Sequence, residues 1–107
     1  MKVFRLQTSL EDGYEDNKKK IQVLFQGPRR KLLQIVLRDG ATLDAHKADV
    51  PISIQCIAGS GVLKTGQESV DLAPGVLVTM ERNVEHEVIS LPAVSILVSR
   101  FEGDRNP

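Results

Sequence analysis

The chain has 107 residues and carries 14 Lys and Arg against 14 Asp and Glu, so its formal net charge is zero. This length predicts one domain with a single hydrophobic core, and the balanced charge argues against a general attraction to nucleic acid or anionic membranes. One Tyr and no Trp leave no row of aromatic rings for stacking bases. No segment reaches the length of a membrane span, so we expect neither nucleic acid nor a membrane as partner.

The cysteine content and the start of the chain bear on the cellular compartment. Cys56 is the one cysteine, which rules out an intramolecular disulfide, and its apolar neighbours predict a buried, inert thiol. The first residues, MKVFRLQTSLEDG, contain no apolar run long enough for a signal peptide. Both observations lead us to expect a reducing, cytoplasmic setting.

In chain order, short apolar runs rich in β-branched residues recur about every ten residues, separated by Gly, Pro, Asn or Asp. This spacing is typical of an all-β sandwich or barrel. The polar stretch SLEDGYEDNKKK (9–20) allows at most a turn or two of helix. The predicted strands are IQVLF (21–25), KLLQIVL (31–37), ATLDAH (41–46), ISIQCIA (52–58), GVLK (61–64), SVDL (69–72), GVLVTM (75–80), HEVISL (86–91) and VSILVSRF (94–101).

The strand pattern divides the chain into three parts. Residues 1–20 form an N-terminal extension whose run VFRLQ (3–7) is strand-like, residues 21–101 form the barrel, and residues 102–107 form a loose tail. Within a strand, alternate residues share a face. The residues predicted to share one face of the strands 31–37 and 52–58 are Leu33, Ile35 and Leu37, and Ile52, Ile54, Cys56 and Ala58.

Turn residues separate the predicted strands. Gly75, after Pro74, predicts a tight turn, and Asn83 tolerates the left-handed conformation better than most residues. The stretch KTGQES predicts a hairpin in which Gly66 is available for a positive φ.

The stretch GATLDAHKADVPISIQCIAG resembles the first motif of small single-domain cupins, the RmlC-like β-barrel family. That motif runs glycine, five residues, His-x-His, three or four residues, Glu, six residues and glycine. Gly40 and His46 match it, whereas Ala48 stands at the place of the second histidine and Ile52 at that of the glutamate. The segment PISIQCIAG (51–59) is similar to a subset of small cupins that also lack this glutamate.

A second stretch is similar to the other cupin motif, which opens on Pro-Gly and ends in a histidine eleven residues after that glycine. Pro74, Gly75 and His86 match this spacing. Glu81 and Asn83 replace the proline and glycine of the family's internal turn.

The resemblance covers about residues 21–101 and implies an antiparallel double-stranded β-helix, that is, a jelly-roll barrel. In metal-binding cupins three imidazoles and a carboxylate converge on iron, manganese, nickel or zinc. Only His46 and His86 remain of these four ligands, which implies weak metal binding, if any. We consider two further oxygen ligands. Asp44 lies on the same face of its strand as His46, and Asp49 lies on the opposite face unless a bulge at Pro51 redirects it.

Three functions stay open on this basis. The favoured one is a small-molecule-binding or regulatory barrel; the others are a metal-dependent cupin dioxygenase or isomerase with an incomplete two-histidine site, and a barrel that serves only oligomerisation. Apolar walls favour a small organic ligand over a sugar phosphate, for which inward lysine or arginine would be expected. We predict a metal-poor pocket, with no cofactor beyond a weakly bound divalent metal, lined by His46, Ile52, Ile54, Met80, His86 and Val88.

We also expect a homodimer. The resemblance implies it, since small cupins are commonly dimers, and two partly apolar faces on several strands agree with it. The run VFRLQ (3–7) is predicted to pair with the edge of a neighbouring subunit.

Overall fold

A computed structural model describes residues 1–10 and 18–102. Within these ranges all regular secondary structure is β, which confirms the all-β prediction, and no helix there could span a membrane. The short helix considered between residues 9 and 20 falls mainly outside the described residues. The strands are β1 (Lys19–Gln26), β2 (Arg30–Leu37), β3 (Thr42–His46), β4 (Ile52–Thr65), β5 (Ser69–Leu72), β6 (Leu77–Met80) and β7 (His86–Phe101).

Two pairs of predicted runs join into single strands, so the described part of the chain has seven strands where nine were predicted. Runs 52–58 and 61–64 form β4, and runs 86–91 and 94–101 form β7. The prediction was wrong because glycine or proline inside a long strand gives the same sequence signal as a turn.

The strand β4 bends at Gly59 and Gly61 without losing its pairing with β7. Gly59 has a φ of 81°, and the register against β7 shifts between these two glycines. A Cβ on Gly59 would clash with the carbonyl oxygen of Ala93, and one on Gly61 would lie 2.5 Å from that of Ile89. Only glycine lets the two backbones approach this closely.

Because β4 and β7 are long, each contributes to two sheet layers. The first layer has the order β1-β2-β7-β4-β6 and uses the C-terminal half of β7 and the N-terminal half of β4. The second layer has the order β3-β7-β4-β5 and uses the opposite halves. All these pairs are antiparallel, and the two layers enclose the core as in a jelly-roll barrel, which confirms the predicted fold class.

The core lies between the layers and follows the alternation that the sequence predicted. Leu33, Ile35 and Leu37 of β2 stand opposite Val98, Ile96 and Val94 of β7, all on the inward side. Full burial of one such side chain is worth about 1.5–3 kcal/mol. The buried apolar cluster comprises Ile35, Leu37, Ala48, Val50, Ile52, Ile54, Cys56, Leu63, Leu72, Met80, Val88, Val94, Ile96 and Val98.

The N-terminal run 3–7, predicted to be strand-like, forms no strand, and its last residue, Gln7, is bound to the barrel of its own chain. The backbone N–H of Gln7 donates to Oε1 of Gln34 (3.1 Å), and Nε2 of Gln34 donates to the Gln7 carbonyl (2.7 Å). The Ser95 hydroxyl donates to the same carbonyl (3.2 Å). The buried amide of Gln34 therefore fixes the backbone of Gln7 to the barrel.

The ends of the barrel differ slightly from the predicted boundaries. The first strand, β1, begins two residues before the predicted start of the barrel at residue 21. The backbone N–H of Glu102 donates to the carbonyl of Arg29 (2.9 Å), so this residue of the predicted tail is fixed to the barrel. Residues 103–107 lie outside the described residues.

Two of the three predicted turn residues adopt a positive φ. Asn83 has a φ of 64°, in the left-handed region that it was expected to tolerate, and Gly75, at the predicted tight turn, has a φ of 97°. Gly66 is not among the residues with a positive φ, and a Cβ added to it would meet open space.

We predict that Gly59→Ala lowers the free energy of unfolding by at least about 2 kcal/mol, because alanine resists this φ and its Cβ meets backbone. Gly66→Ala is the control and should change stability by less than about 0.5 kcal/mol, since it has open space and no positive φ. Urea denaturation measures both, and equal effects of the two substitutions would contradict the close approach of β4 and β7.

Candidate functional site

Two histidines face each other across β3 and β7. His46 ends β3 and His86 begins β7, and they are partners in the register, with ring centroids 4.3 Å apart and planes tilted by 57°. The register shifts between Leu43 and His46, so three steps along β3 match two steps along β7 from Val88 to His86. This bulge brings His46, rather than Ala45, opposite His86.

Backbone carbonyls fix the orientation of both imidazole rings. Nδ1 of His46 donates to the carbonyl of Asp44, and Nδ1 of His86 donates to the carbonyl of Val84, each at 2.9 Å. Because a carbonyl oxygen only accepts, the proton of each neutral ring lies on Nδ1. Each Nε2 therefore keeps its lone pair and can accept a hydrogen bond from a ligand.

A cavity of about 240 Å³ lies beside the two rings, inside the barrel. Strands β1, β2, β3, β4 and β7 contribute its walls. Ile21 and His46 are exposed, so the cavity opens to solvent on their side. Apolar side chains dominate the lining, which consists of Ile21, Lys31, Leu33, Ile35, Leu43, His46, Ala48, Ile52, Ile54, His86, Val98 and Arg100.

The structure places the six predicted pocket residues in two groups. His46, Ile52, Ile54 and His86 are among the residues of the cavity wall. Met80 and Val88 are buried in the hydrophobic core instead, where they stand opposite Ile52 and Leu43, respectively. Alternation predicts which side of a strand faces inward, but it does not show which of the inward residues line the cavity and which are packed in the core.

The donor set around the histidines does not fit the metal site that the cupin resemblance implies. Ala48 and Ile52, at the places of two family ligands, line the cavity with apolar side chains and are 7% and 3% exposed. Among the described residues, no group of three or more His, Cys, Asp or Glu side chains could hold a metal ion. Protein sites for transition metals use three or four protein ligands, and this cavity offers two imidazoles.

The two carboxylates considered as further ligands are engaged elsewhere. The carboxylate of Asp44 accepts from the Thr42 hydroxyl at 3.0 Å, and only the backbone carbonyl of Asp44 meets His46. Asp49 pairs with Arg100 at 3.4 Å and is largely exposed.

Two cationic residues in the cavity wall, Lys31 and Arg100, were missed from the sequence. They are partners in the pairing of β2 with β7, and both belong to the lining. The inward positions therefore include a lysine and an arginine, the residue types expected for a sugar phosphate, in addition to the apolar walls that the sequence predicted. Alternation could have identified Lys31, because it lies on the same face of its strand as Leu33 and Ile35. That Arg100 lies beside Lys31 could not be predicted without the register between β2 and β7.

Burial changes the protonation chemistry of His86 and Cys56. The pKa of the His86 imidazole lies below its ordinary value, mainly because burial disfavours the charged ring, and the neighbouring His46 acts in the same direction. The hydrogen bond to the Val84 carbonyl opposes this shift. Burial also raises the pKa of the Cys56 thiol, which is 1% exposed, so this cysteine is the inert core residue that the sequence predicted.

Comparisons with known proteins give a fold and no closer relationship. No protein-family model and no curated protein matches the chain. An RmlC-like cupin protein from Desulfovibrio desulfuricans has a TM-score of 0.82 at 16% identity, covering 94% of this chain and 96% of that one. A cupin superfamily protein from Desulfitobacterium hafniense has a TM-score of 0.79 at 14% identity, covering 94% of both chains.

A third solved structure extends this likeness to an archaeon. An RmlC-like cupin family protein with a double-stranded β-helix fold, from Methanocaldococcus jannaschii, has a TM-score of 0.76 at 20% identity and covers 96% of this chain and 92% of that one. These likenesses show that the chain has the cupin fold. Fold and cavity together define a small cupin-type barrel with two facing histidines.

We predict that acidification destabilises the protein through His86. Because its folded pKa lies below the value of 6.5 for a free imidazole, the unfolded chain binds more protons as the pH falls below about 6.5. The free energy of unfolding should therefore decrease as the pH is lowered from about 7.5 to about 5.5, when it is measured at intervals of about 0.5 pH unit. The variant His86→Gln should lack the decrease in stability that the titration of His86 causes. Urea denaturation at each pH measures the free energy of unfolding of both proteins. Parallel pH profiles for both proteins would contradict the assignment.

Proposed function

We propose that this chain is a small-molecule-binding barrel whose cavity works without a resident metal. The observation that carries the proposal is the cavity of about 240 Å³, in which mostly apolar walls surround two imidazoles with oriented Nε2 acceptors. Ligand sites combine apolar walls with a few placed polar groups in this way, and this cavity is slightly smaller than the usual range of about 300–1,000 Å³, which limits the ligand to a compact molecule. A compact organic molecule with a hydrogen-bond donor fits it best.

The alternative, a metal-dependent dioxygenase or isomerase, has less support. Both reactions on this fold would need a cation held firmly in the barrel, and Ala48 and Ile52 supply neither charge nor a donor atom there. Without carboxylate ligands a bound cation would also be poorly neutralised in an apolar cavity. We therefore assign the two imidazoles to hydrogen bonding with an organic ligand and not to the coordination of a metal.

The free cysteine and the edge strand β1 bear on the cellular setting and the assembly of the protein. Cys56 is buried and free, which suits a reducing compartment such as the cytoplasm. For assembly, β1 is an edge strand of the sheet formed by the described residues, and its Ile21 and Val23 are 55% and 50% exposed. Edge strands with exposed apolar residues favour association, and a twofold pairing of β1 with a second copy would cover both residues. We therefore propose a homodimer through β1.

The ligand-binding proposal predicts that compact neutral alcohols such as hexanol, benzyl alcohol and phenylpropanol bind in the cavity. Ala48→Leu should weaken binding by at least about tenfold, because the added carbons fill space that the ligand needs. Ala73→Leu adds the same atoms at an exposed turn and should leave binding unchanged. Amide chemical-shift titration measures the affinities. If neither these alcohols nor the carboxylates of the same carbon skeletons bind at millimolar concentration, or if Ala48→Leu binds like wild type, the proposal fails.

The assembly proposal predicts that light scattering gives twice the mass of one chain at micromolar concentration. Val23→Glu should shift the protein to the monomer, because it puts a charge into the proposed contact. Val70→Glu is the control, since Val70 is also an exposed valine on an edge strand, β5, at the other end of the sheet. A monomeric wild type, or dissociation by the Val70 variant alone, would contradict a dimer through β1.

A further inference from the structure

The inward row of residues along β2 and β7 changes from apolar to cationic at one end. Ile35 stands opposite Ile96, Leu33 opposite Val98, and Lys31 opposite Arg100. Alternate residues of a strand share a face, so Lys31 and Arg100 continue the inward row. The cavity lining includes both of them, next to Leu33 and Val98.

This cationic pair is not balanced within the cavity. Like charges directly opposite each other on neighbouring strands are destabilising. Arg100 is compensated by its own ion pairs, through Nε with Glu102 at 2.9 Å and through Nη2 with Asp49 at 3.4 Å. The side chain of the half-buried Lys31, in contrast, makes no hydrogen bond or ion pair with another described residue.

Among the described residues, the cavity lining includes no acidic side chain, and Glu102 and Asp49 pair with Arg100 from outside the lining. An apolar residue at position 31 would continue the row of Leu33 and Ile35 and would avoid the repulsion from Arg100. The repulsion between Lys31 and Arg100 is therefore not offset at Lys31 by any other described side chain. A bound anion would offset it, and a low-dielectric wall strengthens that attraction.

We propose that the ligand of this cavity carries a single carboxylate, which binds the ammonium of Lys31 with Arg100 beside it. The inference rests on the proposed ligand-binding function and specifies its ligand as a compact apolar monocarboxylate. The apolar body lies against Leu33, Ile54 and Val98, and the imidazoles of the cavity accept from any donor group on the ligand. A doubly charged phosphate fits less well, because Arg100 already shares its guanidinium with two carboxylates.

The test uses matched pairs of probes that differ only in the carboxylate: hexanoate and hexanol, benzoate and benzyl alcohol, phenylpropionate and phenylpropanol. By isothermal titration calorimetry, the acid of the best-bound pair should bind wild type at least about tenfold more tightly than its alcohol. In Lys31→Met the acid should fall to the affinity of the alcohol, while the affinity of the alcohol stays unchanged. Lys31→Arg should retain the preference.

Lys64→Met provides the matched control, because Lys64 is an exposed strand lysine outside the cavity wall, and it should behave like wild type. A second measurement needs no variant: added salt should weaken binding of the acid to wild type and leave binding of the alcohol unchanged. This measurement decides the matter even if Lys31→Met does not fold.

The outcomes separate this inference from the proposed function. If acids and alcohols bind equally, or if the acid preference survives in Lys31→Met, the inference is overturned and the ligand-binding function stands. If no member of any pair binds at millimolar concentration, the proposed function fails and the inference fails with it.

Discussion

The pairing of β4 with β7 is the contact on which the rest of the structure depends. These two strands run antiparallel through both layers, and every other strand except β1 pairs with one of them. Their close approach requires glycine at positions 59 and 61, where a side chain would meet the backbone of β7. The bend at these glycines takes both strands from one layer to the other, and it thereby creates the interior of the barrel.

The cavity depends on the same pairing. Strand β7 contributes His86, Val98 and Arg100, and strand β4 contributes Ile52 and Ile54. Five of the lining residues therefore lie on β4 and β7. The remaining walls are added by strands that pair with β7 or with its neighbour β2. The polar groups of the cavity consequently stand at two places, the imidazoles where β3 meets β7 and the cations where β2 meets β7. Between them the walls are apolar, which suits a ligand with a polar group and an apolar body.

The sequence allowed the fold class and the faces of the strands to be predicted, because β-branched runs and alternation are local signals. It did not show that β4 and β7 are continuous, since Gly59 and Pro92 read as strand ends without knowledge of the partner strand. The cupin resemblance identified His46 and His86, but the bulge that brings them together is a property of the register with β7. The register likewise decides that Lys31 meets Arg100, and single-strand patterns contain no register.

The central claim is that the two imidazoles serve a small organic ligand and hold no metal, and a crystal structure of protein purified without added metal or chelator tests it most directly. The account predicts electron density for an organic molecule between Lys31 and His86, with no anomalous peak near either Nε2 atom. An anomalous peak about 2.0–2.2 Å from the Nε2 atoms of both His46 and His86, at full occupancy, would contradict it, because that is the geometry of a coordinated transition metal.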